Sequence, residues 1–265
     1  MVKKGIKRTL ARARSTQDRA QNKMLKELAK DVSELKASVE TKYSYVGQEG
    51  VAIQPWDNST SASRSQNIFP IRIGSIQGLT DANNRIGDLV TLKSIDFRYT
   101  LQLINGSVSP ADAFNRVRVV MFWDTDPTLT NASGSYVLDT PEWNLIFQTP
   151  TLTTASGNAV VTFSPKDHDT GKRFQLLHDK THTLSANLNG NLAGTGPSTS
   201  LGLGPRSVSG VEYVNKSYKV GRKLQYKGGS NIPINRCLYI GFISDSGNIN
   251  NPSVDYSIKC LYEDA

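Results

Sequence analysis

Asp124 and Asp126, in the stretch DTDP at 124–127, are the best candidates for ion binding in this sequence. They follow the apolar run VVMFW, at the point where a buried strand would reach the surface. Carboxylate oxygens at such a rim suit Ca²⁺, which takes about six to eight oxygen ligands. The alternative interpretation is a polar turn in which Pro127 ends the strand. The pattern is therefore compatible with a calcium site at the two aspartates.

The three histidines do not predict a metal or catalytic site. His178 and His182 are four residues apart in HDKTH, within a segment of strand character. On a strand they would share a face at a separation of about 13 Å, too far apart for one metal ion. His168, in DHD, is typical of a solvated turn. GxxxxGK, HExxH and CxxC motifs do not occur, and no Ser/His/Asp set assembles locally, so an enzyme is not expected.

Phosphate binding is the chemistry that the sequence supports most clearly, because positive charge is concentrated at one end. Residues 1–30 contain ten Lys or Arg and two acids, a net charge of +8 that equals the formal net charge of the whole chain. These residues also lack aromatic side chains that could stack on bases. We therefore predict nucleic-acid binding that does not read base sequence. The predicted binding residues are Lys3, Lys4, Lys7, Arg8, Arg12, Arg14, Arg19, Lys23, Lys26 and Lys30.

The region that carries these bases continues into the pattern of an amphipathic helix. Five apolar residues recur at spacings of three and four, which places them on one stripe of a helix. The stripe spans only about two heptads, too few for a stable coiled coil alone, so it needs a partner. That partner is either the rest of the chain or a second copy of the helix. The predicted oligomerisation residues are Leu25, Leu28, Val32, Leu35 and Val39.

We divide the chain into a basic arm at 1–42, a polar linker at 43–66 and a body at 67–265. Residues 90–104 alternate with period two, and a phase slip near Lys93 and Ser94 indicates a bulge. Residues 119–123 are apolar on both faces, as in a covered central strand. The body therefore predicts an all-β sandwich or barrel without helices. Eight strands are predicted at 67–76, 90–104, 116–124, 158–164, 173–185, 211–226, 236–244 and 254–264.

Cellular context is constrained only weakly by the sequence. No run of 18 apolar residues occurs, so stable membrane insertion is not expected. The basic start lacks the apolar segment of a secretory signal. Cys237 and Cys260, the only cysteines, do not make a disulfide framework, which favours a reduced intracellular setting. The basic run is also typical of a nuclear import signal.

Four segments in a fixed order carry a resemblance to a known family. They are NRIGDLVTLKSIDFRYTL, NRVRVVMFWDTDP, GKRFQLLHDKTHTLS and the C-terminal stretch from YKVGRKLQYKGG to YEDA. Together with the basic arm, they resemble capsid proteins of small circular Rep-encoding single-stranded DNA viruses. More closely, they resemble those whose shell domain is similar to satellite tobacco necrosis virus and tombusvirus capsids. The resemblance covers about residues 67–265.

This resemblance implies one eight-stranded antiparallel jelly roll, with sheets ordered B-I-D-G and C-H-E-F and the predicted strands as B to I in order. It also implies self-assembly into a T=1 icosahedral virion of about 60 copies, with assembly in the host nucleus and an unidentified host receptor. Calcium between subunits, and arm helices gathered at threefold axes, belong to the same expectation. The present arm is shorter and poorer in arginine than is common in the family. Whether the genome is DNA or RNA stays open, and DNA is favoured by resemblance alone.

Two other functions remain as alternatives. One is a jelly-roll module that binds a carbohydrate or another ligand and uses the basic arm for targeting. A sugar site would cluster Trp or Tyr with Asp or Asn, whereas Trp123 and Trp143 are far apart in sequence. The other is a host nucleic-acid-binding protein, whose body would be expected to be basic or to carry stacking aromatic residues. Here residues 31–265 are neutral overall, which disfavours it.

Overall fold

The computed structural model describes one long helix, one single-turn helix and a set of strands. The described residues are 18–32, 41–54, 64–74, 85, 87–103, 114–132, 135–148, 164–185, 212–227, 230–245 and 251–264. Residues 18–32 form helix α1. The other elements are β1 Thr41–Ala52, β2 Ile68–Ile71, β3 Leu89–Leu103, β4 Phe114–Asp124, β5 Leu129–Ala132, β6 Ser135–Leu138, α2 Trp143–Ile146, β7 Phe174–Ser185, β8 Glu212–Gln225, β9 Cys237–Ser244 and β10 Pro252–Asp264.

Eight of the strands form two four-stranded sheets, and all pairings in them are antiparallel. Sheet 1 has the strand order β1-β10-β3-β8, and sheet 2 has the order β2-β9-β4-β7. Strands β5 and β6 pair with each other as a separate hairpin. The prediction of an all-β protein is confirmed.

The main core lies between the two sheets and is built by alternating strands. In β3 every inward position from Ile95 to Leu103 is buried, while the residues between them are partly or fully exposed. This alternation is the period-two pattern that the sequence shows. Lys93 has no partner in either ladder, because Ser94 and Leu92 are the neighbouring paired residues. The predicted bulge near Lys93 and Ser94 is therefore confirmed.

A second, smaller core covers the other side of sheet 2. Here α2 and its neighbours pack on β4 and β9, and Trp143, Phe147 and Tyr239 belong to this cluster. Gly241 in β9 makes the close approach of Trp143 possible, since a Cβ atom there would lie 2.4 Å from the Trp143 ring. As a result all eight residues of β9 are buried. The prediction of a covered central strand at 119–123 is confirmed by the burial of these residues in β4.

Residues 43–52, within the segment that the sequence assigns to a polar linker, lie in β1 and pair with β10. The sequence did not predict this strand because its pattern of polarity is reversed. Lys42 is buried and forms an ion pair with Asp264 at 3.3 Å, whereas Tyr43 and Tyr45 are exposed. The usual sequence pattern of a strand places apolar residues on the core side and polar residues on the solvent side, and β1 has the reverse. The remaining boundaries of the arm, linker and body stay predictions.

Three further differences concern the body. Strand β2 covers only Ile68–Ile71 of the predicted 67–76. The strand predicted at 158–164 lies outside the described residues except for Ser164, which is not in a strand. The prediction of a body without helices is wrong for Trp143–Ile146, which form one helical turn. A turn this short has too few residues to show a helical period in sequence.

Candidate functional site

The predicted nucleic-acid-binding residues are only partly described by the structure. Arg19, Lys23, Lys26 and Lys30 lie on α1 and are exposed. Lys23 approaches Glu27 at 3.9 Å, one helical turn away. Ion pairs between such exposed side chains contribute little, so this pairing does not prevent the lysine from binding another anion. Six predicted residues lie outside the described part of the chain: Lys3, Lys4, Lys7, Arg8, Arg12 and Arg14.

The predicted oligomerisation stripe starts on the same helix. Leu25, Leu28 and Val32 are 63%, 62% and 43% exposed, and Met24 beside them is 70% exposed. Leu35 and Val39 lie outside the described residues. The described part of the chain therefore does not cover this stripe. Burying large apolar side chains against a partner stabilises each by about 1.5–3 kcal/mol, so the stripe is suited to self-association. Association itself stays a prediction.

Asp124 lies at the end of β4, as predicted, but its carboxylate is already engaged. It is fully buried, and Arg173 donates to Oδ1 from Nε at 2.8 Å and to Oδ2 from a terminal nitrogen at 2.9 Å. The backbone N–H of Asp126 also donates to Oδ1, at 3.0 Å. The Asp126 side chain is exposed. The two aspartates are adjacent, but Arg173 occupies the position that a cation would take at Asp124.

Electrostatics at this site agree with its geometry. The hydrogen bond to Asp124 raises the pKa of Arg173, and the Coulombic attraction of Asp124 and Asp126 acts in the same direction. Among the described residues, no group of three or more His, Cys, Asp or Glu side chains is placed to hold a metal ion. The predicted calcium site would therefore need ligands from another subunit and a displaced arginine, and it stays a prediction.

A buried network of polar side chains joins the two sheets, and the sequence did not predict it. His178 and His182 of β7 both point into the space between the sheets, where they are 8% and 2% exposed. The hydroxyl of Tyr99, on β3 of sheet 1, lies 3.1 Å from His178 Nε2 and 2.7 Å from His182 Nε2. The two long side chains thus reach one oxygen, although four residues on a strand separate their backbones by about 13 Å.

The contact between His182 and Glu212 sets the direction of the other hydrogen bonds in this network. His182 Nδ1 contacts a carboxylate oxygen of Glu212, which can only accept, so Nδ1 carries the proton. Nε2 of neutral His182 then accepts a hydrogen bond from the Tyr99 hydroxyl. The oxygen of the same hydroxyl accepts a hydrogen bond from the Nε2–H group of His178. His178 Nδ1 accepts from the Tyr218 hydroxyl at 2.7 Å. With both rings neutral, each member of the network has a partner.

Burial is the main influence on proton binding in this network. It lowers the pKa of His178 from 6.5 to about 4, and the charge on His182 acts in the same direction. Burial also lowers the pKa of His182, although the hydrogen bond to Glu212 opposes this effect. The pKa of the Tyr99 hydroxyl is raised for the same reason, with smaller effects of Tyr218 and Glu212. The network therefore holds two uncharged histidines at neutral pH.

No protein-family model and no curated protein matches this chain. One solved structure that matches is a cryo-EM structure of mud crab tombus-like virus, 17% identical over 84% of this chain and 82% of that chain. Its TM-score is 0.18, which is too low to support an argument about fold or function. Within the described residues, no helix is long and apolar enough to cross a membrane.

Proposed function

We propose that this chain is a viral capsid subunit that assembles into a closed shell and packages nucleic acid through residues 1–30. The observation that carries the proposal is the strand order of the two sheets. When the eight strands are lettered B to I along the chain, with the hairpin β5–β6 left out, the sheets read B-I-D-G and C-H-E-F. This is the order that the resemblance implies for a jelly roll, an architecture found in capsid and lectin domains, and it supports the proposal. In this lettering β1 is strand B, so the predicted assignment is wrong for its first strands: the segments predicted at 67–76, 90–104 and 116–124 correspond to C, D and E in place of B, C and D.

The distribution of charge favours a capsid over a lectin. A basic segment of net charge +8 precedes a remainder that is neutral overall, and the four described bases of this segment are exposed on α1. Such a segment binds phosphates without reading sequence, and its affinity falls steeply with salt. Many copies in one shell would add avidity. A lectin domain has no need of such a segment.

The finer form of the proposal is a T=1 icosahedral shell that encloses circular single-stranded DNA. About 60 copies would bring about 480 positive charges from their arms. A gene for this chain alone has about 800 nucleotides, each with one negative charge, so the arms neutralise only part of any genome. The remaining phosphates need mobile cations or further basic side chains of the shell. In this scheme the α1 stripe associates with copies of itself, calcium binds between subunits, and assembly takes place in the nucleus.

Sedimentation velocity of the full chain, recorded at 260 and 280 nm, tests the proposal. We expect a fast, homogeneous boundary that absorbs more strongly at 260 nm. A matched chain without residues 1–23 should keep its fold and lose the nucleic acid, because those residues supply most of the arm's charge. A slow boundary with a protein-like spectrum across salt and pH would contradict the capsid proposal and favour a ligand-binding jelly-roll module.

A further inference from the structure

The two sheets differ in what covers their outward faces. Sheet 2 is covered by the smaller core around Trp143, and every residue of its central strand β9 is buried. In sheet 1 the outward residues of β3 alternate with buried ones and are partly or fully exposed. Within the described residues, this outward side of sheet 1, which we call the open face, has no second layer on it.

Strand register shows which side chains share the open face. Lys219 and Lys223 of β8 pair with Ser94 and Thr91 of β3, which lie on the outward side between buried neighbours. Lys259 of β10 pairs with Asp96 on one side and Tyr45 on the other. Arg98 and Tyr213 occupy further outward positions, on β3 and β8. Neighbouring strands are about 4.8 Å apart, so the face is about 14 Å wide.

Bases outnumber acids among the most exposed side chains of sheet 1, although Asp96, Asp255 and Glu263 also lie on the open face and are partly exposed. Glu49 is the one acidic residue among the exposed positions of these four strands. The exposed bases on the outward side are Lys93, Arg98, Lys219, Lys223 and Lys259. Lys216 is also exposed, but it pairs with core-facing Phe97 and lies on the other side of the sheet. The excess is therefore confined to the side chains that extend farthest into solvent.

Three acids lie on the open face by register; Asp96 is beside Lys259, and the other two already have partners of their own. Glu263 pairs with Lys93 at 2.5 Å, and Asp255 accepts a hydrogen bond from the backbone N–H of Gly50 at 2.6 Å. In contrast, Arg98, Lys219 and Lys223 form no ion pair with another described residue. These three bases are therefore available to an external anion.

The open face also carries aromatic rings, which residues 1–30 lack. Tyr43, Tyr45 and Tyr213 are 49%, 66% and 63% exposed. The ammonium group of Lys259 lies over the Tyr43 ring, 5.1 Å from its centroid. Exposed rings interleaved with bases are the combination that binds single strands, where bases stack and phosphates pair with cations.

We propose that the open face of sheet 1 binds single-stranded nucleic acid, with Arg98, Lys219 and Lys223 on phosphates and Tyr45 and Tyr213 stacked on bases. The inference rests on the proposed packaging function and names a second surface for it. The basic N-terminal segment joins this sheet, because Thr41 is the first residue of β1. The face supplies cations beyond those of the arm.

The salt dependence of binding tests the phosphate contacts. We compare the full chain with Lys219→Gln/Lys223→Gln for binding of fluorescein-labelled oligothymidine over a series of salt concentrations. The slope of log K against log [salt] should become shallower by about 1.4, because each single-strand phosphate contact contributes about 0.7. Arg116→Gln/Lys172→Gln is the control of equal charge change, since both residues are exposed, Arg116 lies on β4 of sheet 2, and Lys172 precedes β7 of that sheet. The control should leave the slope unchanged.

Stacking is tested separately with Tyr213. Replacement by Ala should weaken oligothymidine binding at least about fivefold, whereas replacement by Phe, which keeps the ring, should not. An oligonucleotide carrying 5-iododeoxyuridine should cross-link on irradiation to Tyr45 or Tyr213 of the full chain.

Failure of this inference and failure of the proposed function give different results. If the full chain binds the oligonucleotide, but the double lysine variant keeps the wild-type slope and cross-links form only within residues 1–30, the open face is not a binding surface and packaging by the arm stands. If the wild-type chain binds no oligonucleotide and sediments without nucleic acid, the proposed function itself is wrong. A slope lowered equally by the control variant would also overturn the inference, because it would indicate nonspecific charge.

Discussion

Acid should destabilise this protein through His178 before its carboxylates titrate fully. The pKa of His178 is lowered from 6.5 to about 4 by burial. Above pH 6.5 the ring is neutral in the folded and the unfolded chain. As the pH falls from 6.5 to 4, the unfolded chain binds a proton that the folded chain does not, so stability is lost over this interval. The charges that also act on this ring are those of His182, Asp179, Lys180 and Lys216.

The size of the effect follows from the two pKa values. One such histidine lowers the free energy of unfolding by about 2 kcal/mol between pH 7 and pH 5, and by about 3 kcal/mol between pH 7 and pH 4. The pKa of His182 is lowered as well, which adds a loss in the same direction. Protonation of His182 would also place a second N–H against Tyr99, whose hydroxyl then loses its acceptor.

Urea unfolding followed by tryptophan fluorescence measures this loss at pH 7 and pH 5. The full chain is used at one fixed protein concentration and ionic strength, because any self-association changes the apparent stability. In His178→Gln the fall in unfolding free energy between the two pH values should be smaller by about 2 kcal/mol. The matched control is His168→Gln, because His168 is exposed and outside the network. An equal fall in wild type and His178→Gln would show that the loss of stability does not come from His178.

Three other predictions concern stability and metal binding. Asp124→Asn should lower the free energy of unfolding by about 2 kcal/mol, less than for a fully buried pair because Arg173 is 31% exposed; urea unfolding at pH 7 measures it. Gly241→Ala should cost about 1–3 kcal/mol, since its Cβ would lie 2.4 Å from the Trp143 ring; a normal melting temperature would contradict this. If Asp124 and Asp126 hold calcium in the shell, added Ca²⁺ should raise the melting temperature of particles and a chelator should reverse the rise, whereas an unchanged value would remove the prediction.

Strands with ordinary alternation could be predicted from the sequence. In β3 the apolar residues face the core and the polar ones face solvent, so its bulge at Lys93 and, to within one residue, its limits follow from the pattern. In β4 an uninterrupted apolar run predicted cover on both faces, which Trp143 and its neighbours supply on the second side. The identity of that cover could not be predicted, because α2 is a single turn whose position depends on the space above Gly241.

The histidine network could not be predicted because its members meet only after the sheets pack. The sequence shows that His178 and His182 share a face of one strand, and this part of the interpretation is correct. Tyr99 is 79 residues from His178 and lies in the opposite sheet, and Glu212 and Tyr218 come from a third strand. A backbone distance of about 13 Å argues against a shared metal ion but does not limit where long side chains converge.

The reversed polarity of β1 explains both the missed strand and the open face. Buried Lys42 is compensated by Asp264 across the sheet, a pairing over 222 residues that no local pattern reveals. With the lysine turned inward, the alternation of the strand directs Tyr43 and Tyr45 outward, where they are exposed. A strand of ordinary polarity would have buried these rings in the core. The reversed polarity that makes β1 difficult to predict from the sequence therefore also places aromatic rings beside Lys259, on the surface that we propose for binding single-stranded nucleic acid.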